Sequence, residues 1–229
     1  MDISNILPAS SLFLGVIPAL IILYFTIKGY EDYFKDKKIF LSFVAGLLAG
    51  FFSVLFESFV RNVGVVSLIV LIPFFEQIVK TSILNSRLAR GTEGAPIYGA
   101  TLGLGFGSIF IPFSMVIYAS RWGKLDIVNL SIVTFGAIGF IFFHGATGIY
   151  IGYGVKSGRV WRYFIYAVLF QIPLMVVSRV SDEYNLDFLQ ILIVVYSIVL
   201  YWYAAKNVLI MTLPKSKRRK IVKKVKFFD

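Results

Sequence analysis

Seven stretches of mostly apolar residues, most of them long enough to cross a bilayer, run through this chain. They lie at about 12–27, 39–60, 65–84, 96–118, 127–155, 163–177 and 188–211. A helix needs roughly 20 such residues to span the hydrocarbon core. Inside that core every peptide group must find its partner within the protein. The pattern predicts an all-α, polytopic integral membrane protein of about seven transmembrane helices. The first and sixth stretches are short for a span. Composition agrees: 58% of the 229 residues are hydrophobic and only 15% are charged, against about 25% charged in an ordinary soluble domain. The opening segment, MDISNILPASS, has no basic residue and leads into a long apolar run, so the first span is expected to be retained rather than cleaved as a signal peptide.

Lysine and arginine set the orientation, because cytoplasmic loops carry the excess of both. Lys28, Lys35, Lys37, Lys38, Arg87, Arg90, Lys156, Arg159, Arg162 and eight residues of the tail fall on one side, seventeen in all. Arg61, Arg121, Lys124 and Arg179, four residues, fall on the other. This places the C-terminus in the cytoplasm and the N-terminus outside, in a multi-pass protein of the cell membrane. Residues 1–212 are expected to form one transmembrane helical domain, followed by a basic tail over 213–229. That tail, LPKSKRRKIVKKVKFFD, suits contact with anionic lipid headgroups at about 1 kcal/mol per basic residue near the surface. A contact with nucleic acid or a ribosome is the alternative, although the segment is too short for a folded nucleic-acid-binding domain.

Against this apolar background, PFFEQIVKTSIL at 73–84 carries Glu76, Gln77 and Lys80 at membrane depth. Glu76 lies eight residues before Leu84, about 12 Å along a helix, and His144 eleven before Val155, about 16 Å. The two can therefore meet at one level. Ionisable residues inside a membrane are expensive and point to function. The structural alternative is an i, i+4 pair in which Glu76 and Lys80 neutralise each other, with His144 bonded to a neighbouring helix. The chain has no cysteine and His144 is its one histidine. Thiolate sites and multi-histidine zinc sites are thereby excluded. Glycines mark the tightest packing: Gly99, Gly103 and Gly107 share a face, as do His144, Gly148 and Gly152, and Gly46 and Gly50 add a third. Small faces let helices approach closely, so the third, fourth and fifth spans are expected at the centre.

The phrases PFFEQIVK, IYGATLGLGFGSIF and FFHGATGIYIGYG, in this order over about 65–155, resemble the three signature regions of the PrsW-type intramembrane proteases. These are related to the CAAX- and bacteriocin-processing membrane proteases. The first motif of that family is E-E-x-x-K; Glu76 and Lys80 match it and Gln77 replaces the second acid. The second is F-x-x-x-E; Phe106 matches and Phe110 replaces the acid. The third is H-x-x-x-D; His144 matches and Gly148 replaces the acid. The resemblance implies a remnant or candidate catalytic set of Glu76, Gln77, Lys80 and His144, with Glu76 and His144 as candidate metal ligands.

Active members of such a family would use a metal, zinc here, to activate water for peptide cleavage. A catalytic zinc generally has three protein ligands and a water, and a separate base must take the proton. Glu76 and His144 supply two ligands, and Gln77 cannot act as a base near neutral pH. The expected reading is a non-catalytic family member, without a resident cofactor, that binds a membrane protein partner. An active or altered metal-dependent peptidase using Glu76 and His144 is one alternative. A transporter or insertase is the other.

Overall fold

In the absence of water, a backbone as apolar as this one satisfies its peptide groups by coiling. The computed structural model describes residues 7–60, 64–122, 127–184, 186 and 188–213, and every regular element there is helical. In chain order the α-helices are α1 (Leu7–Ile27), α2 (Asp36–Val60), α3 (Val65–Leu84), α4 (Ala95–Ser108), α5 (Phe110–Trp122), α6 (Ile127–Ser157), α7 (Val160–Tyr184) and α8 (Leu189–Tyr203). A π-helical turn, Ala204–Val208, and a 3-10 turn, Leu209–Thr212, extend α8. Among the described residues six segments are long and apolar enough to cross a membrane, and the Ser11–Ile27 part of α1 is a shorter apolar helix. The tail beyond Leu213, together with Arg61 and Lys124, lies outside the described residues.

Two departures from the apolar pattern have physical causes. The fourth stretch is one span, Ala95–Val116, made of two helices that part at Ile109. Pro112 has no N–H for the Ser108 carbonyl four residues back, so the ladder breaks there. Pro73 and Pro173, by contrast, lie inside unbroken helices. The sixth stretch is longer than its apolar run. Arg179 and Glu183 pair at 2.6 Å across one turn and carry α7 on to Tyr184.

The turns follow local chemistry. At the end of α6, Gly158 takes φ +70°, while Arg159 N–H bonds the Gly154 carbonyl at 2.9 Å and Gly158 N–H that of Val155 at 3.4 Å. This is a Schellman ending, which needs a left-handed residue that glycine supplies at little cost. Between α1 and α2, the exposed Glu31 carboxylate accepts the Gly29 N–H at 2.8 Å, which holds it below the usual carboxylate range. Beside it, burial pushes the Tyr30 hydroxyl up to about 12.

Helix α4 is the axis of the bundle, and all fourteen of its residues are buried. Its glycines explain how. A Cβ on Gly99 would strike the Gly148 carbonyl, one on Gly103 the His144 carbonyl, and one on Gly107 the backbone at Phe140 and Ile141. On the opposite side, Gly46 and Gly50 of α2 face the carbonyls of Leu102 and Phe106. Thus α4 is pressed between α6 and α2 at backbone distance. The expectation that α3 shares this centre is corrected in part: α3 packs mainly on α7 and α2. Its buried residues, Leu68, Ile72, Glu76, Lys80 and Leu84, with Pro73, Gln77 and Thr81 alongside, make one face. That single face carries all three polar residues of PFFEQIVK into the interior. Large apolar side chains such as Phe40, Phe52, Phe59 and Val66 face outward, as a lipid solvent permits.

Candidate functional site

Four helices bring Glu76, Gln77, Lys80 and His144 to one place between α2, α3, α6 and α7. All four are buried. His144 is the hub. Its Nδ1 lies 3.0 Å from Lys80 Nζ, and its Nε2 lies 3.9 Å from Glu76 Oε2. The direct Glu76–Lys80 pair expected from i, i+4 spacing is replaced by this row, Lys80–His144–Glu76. Lys80 turns instead to α6, where it also donates to Thr147 Oγ1 at 2.8 Å, and Thr147 in turn donates to the His144 carbonyl at 3.2 Å.

Glu76 has its own partners. Ser53 Oγ of α2 donates to Oε1 at 2.8 Å, and Gln171 Nε2 of α7 donates to Oε2. Gln77 Nε2 donates to Gln171 Oε1. The donors therefore run Gln77 to Gln171 to Glu76 and end on the carboxylate, the arrangement an ionised acid accepts. Hydrogen bonds to a charged group contribute about 1.5–3 kcal/mol each. They offset part of the cost of holding a charge away from water. Within this site two buried atoms, His144 Nε2 and Gln77 Oε1, have no hydrogen-bond partner among the described residues.

Aromatic rings enclose the imidazole. Phe110 lies 5.0 Å from it at 22°, Phe106 at 4.7 Å, and Phe143 meets it edge-on at 5.3 Å. Phe140 stacks on Phe110 at 5.0 Å. Lys80 Nζ also sits 5.0 Å over the Phe106 ring, a cation–π contact strengthened by the lack of water. The break at Ile109 has a consequence here, since it starts the short helix whose first residue, Phe110, covers the histidine.

The positions where the resemblance expects acids behave differently from one another. Gln77 and Phe110 both reach the site. Gly148 does not admit a side chain, because its Cβ would overlap the Gly99 carbonyl. The described donor set also falls short of the three protein ligands that a catalytic zinc generally takes. Among the described residues no three His, Cys, Asp or Glu side chains converge to hold a metal. Of the two candidates, Glu76 is occupied by Ser53 and Gln171, and the imidazole is flanked by phenyl rings rather than a third donor.

Ser53 and Thr147 carry no expectation from sequence. The signal for Ser53 was present: it continues the Gly46–Gly50 face of α2 at i+3, so it points to the same interior. Thr147, three residues after His144, lies on the inward face of α6. No family model matches this chain, and no curated protein or solved structure matches it either.

Proposed function

We propose that this chain is a non-catalytic relative of the PrsW-type intramembrane proteases that acts by binding a membrane protein partner. In this reading it crosses the cell membrane seven times, with its N-terminus outside and its basic tail at the anionic cytoplasmic surface. The observation that carries the reading is the treatment of His144. Phe110, at the acid position of the second signature region, stacks on the imidazole at 5.0 Å, where a hydrolase would place a charged or metal-binding group. Glu76 is held by Ser53 and Gln171, so its lone pairs serve the fold.

One observation favours an altered hydrolase as a second reading: Glu76 Oε2 and His144 Nε2 face each other at 3.9 Å. Metal analysis separates the two. The proposal expects the protein purified in detergent with added zinc to retain well under one equivalent after dialysis, and His144→Ala to leave that value unchanged. One retained zinc per chain, lost in both His144→Ala and Glu76→Ala, would replace the proposal with the hydrolase.

A further inference from the structure

Lys80, His144 and Glu76 stand in a row, with the ring between an ammonium donor and a carboxylate. A protonated Lys80 has only donors, so Nδ1 at 3.0 Å accepts from it. The ring proton of the neutral imidazole is then on Nε2, which has no partner and faces Glu76 Oε2 at 3.9 Å. The Phe106, Phe110 and Phe143 rings fix the plane of the imidazole. A ring flip is thereby opposed, and the proton has one line along which to move.

We propose that this row is a closed proton-transfer unit that interconverts a buried ion pair and a neutral pair. In the forward step an Nζ–H bond of Lys80 breaks as Nδ1–H of His144 forms, and Nε2–H breaks as Oε2–H of Glu76 forms. Lys80 ends as an amine, Glu76 as a carboxylic acid, and His144 as the other neutral tautomer. No proton or electron is gained or lost overall. The Nε2–Oε2 separation closes by about 1 Å to hydrogen-bond length for the step. The low dielectric favours the neutral form while the Ser53 and Gln171 donors favour the ion pair. The two forms are therefore opposed by forces of the same kind.

The groups facing the row are few. α2 presents Ser53 and, one turn on, Glu57, which acts electrostatically on Glu76. α3 adds Gln77, α4 Phe106, α6 Thr147 and α7 Gln171. This inference is independent of any protease ancestry.

The single histidine makes the test direct. In the full chain labelled with ¹⁵N-histidine, the two ring nitrogens give one pair of NMR signals that report the tautomer. Exchange between the forms predicts signals drawn toward each other and moving with temperature. In Glu76→Gln, which cannot take the proton, they separate to the values of a fixed Nε2–H imidazole. Identical, temperature-independent signals in the two proteins would overturn the proposal, as would an imidazolium pair in the wild type. Should Glu76→Gln not fold, the wild type alone decides. Its infrared band for a buried protonated carboxyl is expected to change with temperature in step with the tautomer signals, and a carboxyl fixed in one state while they move would overturn the unit.

Discussion

At the scale of the residue, the chain holds an acid, a base and an imidazole in an apolar interior by giving each a specific partner. Removing one partner of a buried charged group typically costs about 3–5 kcal/mol, because the other is left uncompensated. Lys80→Met is therefore expected to lower stability in detergent by that order. Adding Glu76→Gln removes the stranded carboxylate and restores part of the loss. A double variant no more stable than Lys80→Met would show that the two charges are not coupled through His144. The polar residues themselves were legible, since Glu76, Gln77, Lys80 and His144 interrupt apolar runs and their depths along two helices agree. Their pairing was not. Spacing along one helix suggested Glu76 with Lys80, whereas the long lysine side chain crosses to α6 and leaves the acid to Ser53 and Gln171. Helical periodicity names a face but not which neighbouring helix will supply the partner.

At the scale of the element, glycine decides what can touch. The face formed by Gly99, Gly103 and Gly107 was readable from its four-residue spacing, and it meets α6 as expected. Its second contact, with α2, follows from Gly46 and Gly50, which face the backbone at Leu102 and Phe106, and from Gly105, which faces the backbone at Phe43 and Leu47. The division of the fourth span at Ile109 was signalled only by Pro112. Gly103→Leu would drive a side chain into the His144 carbonyl and is expected to abolish the folded protein. Val66→Leu, at a position 76% exposed on α3, is expected to change thermal stability little. Equal losses in the two would contradict backbone contact between α4 and α6. The same geometry limits any attempt to rebuild acids. Gln77→Glu and Phe110→Glu have room for their side chains, but Gly148→Asp collides with the Gly99 backbone and is expected to prevent folding. A stably folded Gly148→Asp variant, by size-exclusion profile and melting in detergent, would show that α4 and α6 separate more readily than this packing allows.

At the scale of the whole molecule, the proposed orientation rests on the distribution of the basic residues. The positive-inside pattern predicts that protease added to sealed inside-out vesicles removes the tail after Leu213, and that right-side-out vesicles protect it. Cleavage in right-side-out vesicles alone would reverse the orientation. The same bundle closes over its polar row and packs Phe110 against the His144 ring. The proposed function requires that Glu76 and His144 hold the structure together and cut nothing. The direct measurement reconstitutes the wild type, Glu76→Ala and His144→Ala with single-span membrane substrates and zinc, and follows product and melting temperature together. The account predicts no cleavage product from any of the three and a lower melting temperature for both variants. Cleavage by the wild type that disappears in both variants, with their melting temperatures unchanged, would contradict it.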